Sequence, residues 1–318
     1  MCDGNWASQH AGNILDGGIR YRYSALRAWY RQRLGCGYRR NNIVARKMSF
    51  SITQFGMRLP LLTVNTISLH GEIPRNYDFP AVYEKMKLVF AKMHRDVSAV
   101  DADSPDDPPE AGAQDFEQWQ RRLSTSGFPQ NLIRLTLTEY FPMTWQPILV
   151  ASFGSSGKGF LLSFDSLVCG FSREFFEAVS RTIWDVYPFD YGYALQVPRT
   201  MSAWAYGGGN IGDSRDYRSG IMTRNRRWQK YCAARIHAGL SLGPAFRDIY
   251  PLNFLNKQHL ETPLHNSTVE DWISADSARG TLSKFNDKIW AWHISHEAIP
   301  VIRKQFIKAG LLISWDER

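Results

Sequence analysis

A glycine-rich segment with a lysine, residues 154–159, is the first candidate for chemistry in this sequence. It reads Gly-Ser-Ser-Gly-Lys-Gly, and a phosphate-binding loop needs clustered backbone N–H groups followed by a lysine and a hydroxyl for magnesium. Ser152 stands where the first glycine of that motif belongs, and Gly159 stands where the serine or threonine belongs. Since both anchors are missing, the segment predicts a hairpin turn between two strands.

Other combinations of nucleophiles, acids and histidines also fall short of a catalytic set. Gly170, Ser172 and Glu174 match the G-x-S-x-G elbow of hydrolases only in part, and the serine fits a helix N-cap better. His293 and His296 are close in sequence but bracket the junction of a strand with a helix, so they do not share one helical face. A site assembled from residues far apart in sequence leaves no local motif, and an unrecognised hydrolase stays an alternative.

The cysteines do not indicate a metal site. Cys2, Cys36, Cys169 and Cys232 are scattered, with no C-x-x-C pair and no histidine at a zinc-binding distance along the chain. We expect reduced thiols, no cofactor and no enzymatic activity. No apolar run reaches the roughly 18 residues of a membrane span, and nothing near the start resembles a basic, apolar, small-residue signal peptide, so we expect a cytoplasmic protein without a membrane partner.

The positive charge is concentrated in one terminal arm. Residues 1–47 hold nine cations against Asp3 and Asp16, whereas the remaining residues carry 29 cations and 28 acids. This arm predicts an irregular basic segment, and Met48 directly after it is the expected natural start. A basic tail that touches nucleic acid or acidic lipid is the functional alternative for residues 1–47.

The rest of the chain predicts an α+β fold with a largely antiparallel sheet backed by helices. Strand patterns at residues 61–69, 133–138, 148–153, 160–164 and 191–197 alternate with helices that begin after Asp78 and Ser172. Residues 201–227 predict a surface loop, and the last third predicts a strand pair and a closing helix. We expect one domain over residues 48–318, with a subdivision near residues 198–243 left open.

An acidic stretch between residues 96 and 117 contains eight carboxylates, three prolines and no lysine or arginine. Like charges at this density predict a solvated loop. The same carboxylates could imitate a phosphate backbone and occupy the basic cleft of a nuclease, although acidic loops are commonly spacers. The residues proposed to bind a partner here are Asp101, Asp103, Asp106, Asp107 and Glu110.

Aromatic clusters supply a second set of candidate partner-binding residues, because Trp and Tyr dominate interface hot spots. Tyr191 and Tyr193 lie in a predicted strand, and Trp204 and Tyr206 precede three glycines. We interpret them as exposed anchors, with burial in the core as the alternative. Arg224, Arg226, Arg227 and Lys230 beside Trp228 would suit nucleic acid, but a solvated helix face with one buried ring is the favoured interpretation.

Residues 247–260 read Arg-Asp-Ile-Tyr-Pro-Leu-Asn-Phe-Leu-Asn-Lys-Gln-His-Leu, followed by Gly-Thr-Leu-Ser-Lys-Phe at 280–285 and Trp-Ala-Trp at 290–292. With Asp-Tyr-Gly-Tyr at 190–193 and the closing helix, this pattern resembles the immunity protein 52 family of bacterial polymorphic-toxin and type VI secretion systems. The resemblance spans about residues 61–312. The basic arm and the acidic insertion depart from it.

The resemblance implies a cytoplasmic antitoxin that binds a cognate toxin with a nuclease fold and neutralises it by stoichiometric protein–protein inhibition. It carries over no catalytic residues. Asp248, Asn253 and His259 are expected to fix a loop through hydrogen bonds. The alternative function classes are a nucleic-acid-binding protein that uses the basic arm and an unrecognised hydrolase.

Overall fold

The computed structural model describes residues 63–72, 77–104, 113–140, 147–154, 159–198, 220–238 and 240–315. The basic arm (residues 1–47) and Met48, for which the sequence makes predictions, lie outside these residues. The described residues form an α+β fold around a ten-stranded sheet in which every strand pair is antiparallel. The predicted fold class is therefore confirmed.

The first part of the chain supplies seven strands and three helices. They are β1 (Thr63–His70), α1 (Phe79–Lys92), β2 (Ala99–Asp103), β3 (Gln114–Asp115), α2 (Phe116–Ser126), β4 (Arg134–Tyr140), β5 (Pro147–Gly154), β6 (Gly159–Asp165), α3 (Arg173–Trp184) and β7 (Tyr191–Pro198). The predicted hairpin is confirmed in its strands, because β5 pairs with β6 from Gly154 and Gly159 inward. Its turn at residues 155–158 lies outside the described residues.

The second part of the chain contains four helices and five strands among the described residues. They are α4 (Ile221–His237), β8 (Leu252–Asn256), α5 (Lys257–Leu260), β9 (Pro263–Leu264), β10 (Ser267–Thr268), α6 (Val269–Ser274), β11 (Thr281–Lys284), β12 (Ile289–His293) and α7 (Ile299–Lys308). Short 3-10 turns lie at Ser277–Arg279, between α6 and β11, and at Ile313–Trp315, after α7. Strands β9 and β10 form a separate small pair.

The order of strands in the sheet is β11-β12-β8-β7-β1-β6-β5-β4-β2-β3. The earliest strand, β1, lies near the centre, between β6 and β7. Strands on both sides of residues 198–243 belong to this one sheet, since β7 pairs with β8. The division of the chain into domains stays a prediction.

Side-chain hydrogen bonds fix the starts of the main helices where the sequence predicts them. The carboxylate of Asp78 accepts from the N–H of Ala81 at the start of α1, and the hydroxyl of Ser172 accepts from the N–H of Phe175 in α3. Such caps satisfy backbone donors that have no partner within the helix. Ser172 is thus a capping residue, as expected.

Two hydrophobic clusters lie on opposite faces of the sheet. The first face packs against α1, α2 and α3 through residues such as Met86, Trp119 and Phe176. The second face, at the β7, β8 and β12 end, packs against α4 to α7. In β7, Ala194 belongs to the first cluster and Tyr193 to the second, as the two-residue period of a strand requires.

Two of the predicted loops are wrong in part. The acidic stretch contains strands β2 and β3. Val100 and Ala102 of β2 are buried in the core. The positive charge of Arg134 offsets the negative charges of Asp101 and Asp103, which lie beside them in the strand. The loop expected at residues 201–227 ends earlier, since α4 begins at Ile221 and buries Trp228. Within the described residues, no helix combines the length and the apolarity that a membrane crossing requires.

Candidate functional site

The second face of the sheet changes character along its width. Directly paired residues of successive strands form a row across this face. From the edge inward the row runs Asp101, Thr136, Ser152, Leu161, Ser68 and Tyr193. At the β7 end this face is apolar and covered by helices, whereas over β1, β6, β5, β4 and β2 it carries mainly hydroxyls and charges. We call this second region the polar half.

Hydroxyl groups of neighbouring strands bond to one another across the polar half. Thr66 donates to Ser163 at 3.1 Å between β1 and β6, and Thr136 donates to Ser152 at 3.0 Å between β4 and β5. Each pair satisfies side-chain groups that are largely buried, and an unsatisfied hydroxyl there would cost stability. The polar half is therefore an ordered hydrogen-bonded surface of the sheet.

An acidic edge closes the polar half at β2. Nη2 of Arg134 lies 3.0 Å from Asp101 and 3.5 Å from Asp103, so two carboxylates share one guanidinium and leave a formal charge of −1. Strand β3 pairs only with Ala99 and Val100, so no described strand lies beside the outer side of the two aspartates. Glu117, on α2, is exposed near the same edge.

A buried polar cluster lies where the polar half meets the apolar region. Nε2 of His70 lies 2.9 Å from the hydroxyl of Ser68 and 3.2 Å from that of Tyr193. The Tyr193 hydroxyl also accepts a hydrogen bond from Nη1 of Arg247, whose Nη2 donates to Asn225 on α4 at 2.7 Å. Strands β1 and β7, helix α4 and the segment before β8 therefore meet at Arg247.

Aromatic rings enclose this cluster. Burial raises the pKa of Tyr193 to about 12, although the neighbouring Arg247 opposes that rise. The ring of Tyr193 stacks on Tyr250 at 4.4 Å between centroids, and the guanidinium of Arg247 lies 5.2 Å from the Tyr193 ring. At ordinary pH Tyr193 is a neutral hydroxyl that links a histidine to an arginine.

The expectation that Tyr191 and Tyr193 are exposed anchors is wrong. Both side chains are fully buried, because their strand lies beneath α4 and the segment that contains Arg247. Tyr191 accepts from the N–H of Arg247 at 3.1 Å and stacks on His259. These tyrosines stabilise the interior and cannot contact a partner in the folded protein.

The structure places four of the predicted partner-binding residues on one face of the sheet. Asp101 and Tyr193 lie in one row, five strands apart, which corresponds to about 24 Å at the usual strand spacing. Asp103 and Tyr191 belong to the same two strands. The other predicted residues lie outside the described residues: Asp106, Asp107, Glu110, Trp204 and Tyr206.

The loop predicted from residues 247–260 is held by hydrogen bonds, as expected. Asp248 accepts from the N–H of Ile249 and from Arg303, and the Asn253 amide bonds to both backbone groups of Tyr250. His259 lies 2.7 Å from the side-chain oxygen of Asn256. The apolar neighbours of these residues are core, so this run has a structural role.

The remaining candidates for chemistry have structural roles in the described part of the chain. His293 lies 2.7 Å from Glu177 and joins β12 to α3, whereas His296 contacts the ring of Phe171. Trp228 is buried, while Arg227 donates to the carbonyl of Ser314. The basic cluster lies on a helix with the ring of Trp228 buried, as the favoured interpretation predicts, but Arg224 and Arg227 are half-buried against the turn at Ile313–Trp315 and only Arg226 and Lys230 of the four cations are exposed. The described residues include no group of three potential metal ligands.

Sequence reasoning missed three residues that organise this face, namely His70, Arg134 and Arg247. Each bonds to at least one residue more than thirty positions away in sequence: His70 to Tyr193, Arg134 to Asp101 and Arg247 to Tyr193. Arg247 is fully buried, which is rare for arginine. Arg247 stands at the start of a run of mostly core residues, 247–260, and this is the one sequence signal that could have indicated a buried arginine that binds several elements.

Comparison with protein-family models gives no match, and comparison with curated proteins also gives none. Among solved structures, the chain is similar to the Pseudomonas aeruginosa T6SS protein PA0821, with 10% sequence identity and a TM-score of 0.46. The likeness covers 84% of this chain and 83% of that one. A likeness of this degree carries no argument about function, and membership in the immunity protein 52 family stays a prediction.

Proposed function

We propose that this chain is a cytoplasmic immunity protein that binds a cognate toxin effector and neutralises it by stoichiometric protein–protein inhibition. The observation that carries the proposal is the acidic edge of the sheet. Asp101 and Asp103 project from a strand that is paired along its inner side, so their backbone is fixed before any partner arrives. A preformed surface loses little conformational entropy on binding.

Charge complementarity favours a basic partner at this edge. The acidic stretch from residue 96 to residue 117 contains no lysine or arginine, and Asp106, Asp107 and Glu110 follow directly after β2 in the sequence. A nuclease-type toxin must carry a basic cleft to hold a phosphate backbone. Carboxylates on the sheet edge would enter such a cleft and exclude nucleic acid.

The buried cluster supports the same proposal indirectly. Arg247, Tyr193 and His70 join β1, β7 and the segment before β8, and β1 pairs on its other side with β6, so they fix the inner end of the face that carries the acidic edge. No bond is made or broken in this mechanism. The inhibitor acts by occupying the basic cleft of the toxin, and one copy of the inhibitor neutralises one copy of the toxin.

The test is a titration of the purified chain with the purified effector encoded beside it, followed by calorimetry and stopped-flow association kinetics. We expect a one-to-one complex with a dissociation constant of about 1 μM or tighter. The variant Asp106→Asn, Asp107→Asn, Glu110→Gln should reduce the association rate by roughly tenfold at low salt, since charge pairs at a rim act mainly on association.

A matched variant removes three carboxylates that are exposed elsewhere in the described residues: Glu261→Gln, Glu270→Gln and Asp287→Asn. We expect this control to associate at nearly the unmodified rate. Absence of any complex at micromolar concentrations would overturn the proposed function. Equal slowing by both triple variants would instead show that Asp106, Asp107 and Glu110 do not contact the toxin.

A further inference from the structure

The charges of the described residues are divided unequally between the two parts of the chain. The described part of residues 63–198 holds nine lysines and arginines against fourteen acids, whereas the described part of residues 220–315 holds thirteen against seven. Two helices of the second part, α4 and α7, contain eight of these thirteen cations and no acid. The positive charge is therefore concentrated on two helices that are far apart in sequence.

Helices α4 and α7 belong to one layer over the second face of the sheet. Both bury apolar side chains in the second hydrophobic cluster. The 3-10 turn Ile313–Trp315 contacts both helices, since Arg227 donates to the carbonyl of Ser314 and the guanidinium of Arg303 lies 5.6 Å from the ring of Trp315. Helices of one layer turn their outer faces to the same side of a protein, so the cations of α4 and α7 belong to one surface.

Four exposed cations define this surface, which we call the basic face. Arg226 and Lys230 are exposed on α4, one helical turn apart, and Lys304 and Lys308 repeat this spacing on α7. Four residues of an α-helix rise about 6 Å, so each pair forms a short row along its helix. None of the four forms an ion pair with another described residue. Half-buried arginines add further positive charge: Arg224, Arg227, Arg235 and Arg303.

We propose that the basic face binds the phosphate backbone of nucleic acid. Rows of unpaired cations complement a chain of phosphates, and the release of counterions from the nucleic acid makes such contacts favourable at low salt. Contacts to phosphates alone do not read the base sequence, so this binding has no sequence specificity. Ala233 and Ala234, exposed beyond Lys230 on α4, are small enough to let the backbone of a duplex approach the helix.

The exposed apolar residues favour nucleic acid over a bilayer with acidic headgroups. Helices that lie on membranes combine their cations with large apolar residues that enter the bilayer. Val301 and Ile307 are exposed on α7, but the exposed apolar residues described on α4 are the alanines 233 and 234. The helix with the larger number of cations thus offers no large apolar side chain to a bilayer, and its partner is a hydrated polyanion.

The nucleic-acid proposal does not depend on the toxin-binding proposal. The acidic edge lies on β2, near one end of the order of strands, whereas α4 and α7 cover the region of β7, β8 and β12. From the sequence, α4 was compared with a solvated helix face on its own cations alone. Only the fold brings Lys304 and Lys308, more than seventy residues later, to the same surface.

Fluorescence anisotropy of a labelled DNA duplex, titrated with the purified full chain, tests the proposal. With a duplex of about 20 base pairs in about 50 mM salt, we expect a dissociation constant of about 10 μM or tighter. The variant Arg226→Gln, Lys230→Gln, Lys304→Gln, Lys308→Gln should bind at least about tenfold more weakly. The slope of the logarithm of affinity against the logarithm of salt concentration should become shallower by about 0.9 for each phosphate contact that is lost.

A matched variant removes the same charges at other exposed positions: Arg121→Gln, Lys257→Gln, Lys284→Gln and Lys288→Gln. It should weaken binding by less than about threefold, because salt screens charges that do not touch the duplex. Residues 1–47 are present in both variants and contribute equally to their binding. The proposal is overturned if the unmodified chain does not bind the duplex, or if both variants bind it equally well. It is also overturned if the first variant keeps its affinity for the duplex and loses only binding to vesicles of anionic phospholipid.

Discussion

The carboxylate of Asp248 accepts a hydrogen bond of 2.6 Å from Nε of Arg303, and this ion pair joins the segment before β8 to α7. The Asp248 side chain is only 3% exposed, whereas Arg303 is 28% exposed. Arg303 also donates to the carbonyl of Ile249 and lies over the ring of Trp315. One arginine thus ties together three parts of the C-terminal region.

Replacement of Arg303 by methionine should destabilise the protein by about 2–4 kcal/mol, because it leaves a carboxylate buried without its counter-ion. Urea unfolding followed by circular dichroism measures the change. Lys257→Met, which removes an exposed ion pair with Glu261, is the control and should change the free energy of unfolding by at most about 0.5 kcal/mol. Adding Asp248→Asn to Arg303→Met should recover part of the loss.

Stability should depend on the protonation of His259. Burial against Tyr191 and Phe246 lowers the pKa of His259 to about 3, whereas a histidine in an unfolded chain titrates near 6.5. The unfolded state binds more protons between these values, so the stability that His259 contributes is present above about pH 6.5 and is lost as the pH falls toward 3.

The slope expected from this one group approaches about 1.4 kcal/mol per pH unit. Urea midpoints measured from pH 7 to pH 4 give the slope, and His259→Gln should flatten it by about that amount. His265→Gln changes an exposed histidine and is the control. An unchanged slope in His259→Gln would contradict the assignment.

Tyr193→Phe should reduce stability and leave partner binding by the folded protein intact. The change removes the hydroxyl that accepts from Arg247 and contacts His70, and buried polar partners left in this way cost about 1–3 kcal/mol. Thermal unfolding and calorimetric titration with the effector measure the two properties separately. A loss of binding without a loss of stability would restore Tyr193 as a contact residue.

Gly280→Ala should destabilise the turn before β11. Gly280 has a φ of +96°, and a Cβ atom there would lie 2.1 Å from the carbonyl oxygen of His293. We expect a loss of at least about 1–3 kcal/mol, seen as a lower midpoint in thermal unfolding. Gly170→Ala, where nothing lies within 4 Å of the new atom, is the matched control and should have little effect.

Local patterns in the sequence predict most of the elements but not the way the second face is divided. The helices after Asp78 and Ser172 and the alternation in β4 follow from capping and periodicity, which act over a few residues. The row from Asp101 to Tyr193 depends on strand order, and strand order joins residues more than a hundred positions apart, such as Ser68 and Tyr193. No local pattern contains that information.

The buried tyrosines show why the candidate residues were predicted less well than the fold. Tyr191 and Tyr193 occupy alternate positions, with a glycine between them and an alanine after them, a pattern that fits an exposed aromatic face or a face covered by a helix. Helix α4, at residues 221–237, covers the two tyrosines, so their face is buried. The sequence of α4 is strongly basic, which favours an exposed helix over one that covers a sheet. Its buried Trp228 turns inward while arginines bind backbone carbonyls at its side.

The central position of β1 has a consequence for how the chain folds during synthesis. Its two neighbours, β6 and β7, end about one hundred and one hundred and thirty residues later, so β1 has no partner until most of the first part has left the ribosome. At about 5–20 residues per second this delay lasts several seconds. During that time Ile67 and Leu69 of β1 lack the strands that flank them in the core, and late pairing of this kind slows folding in general.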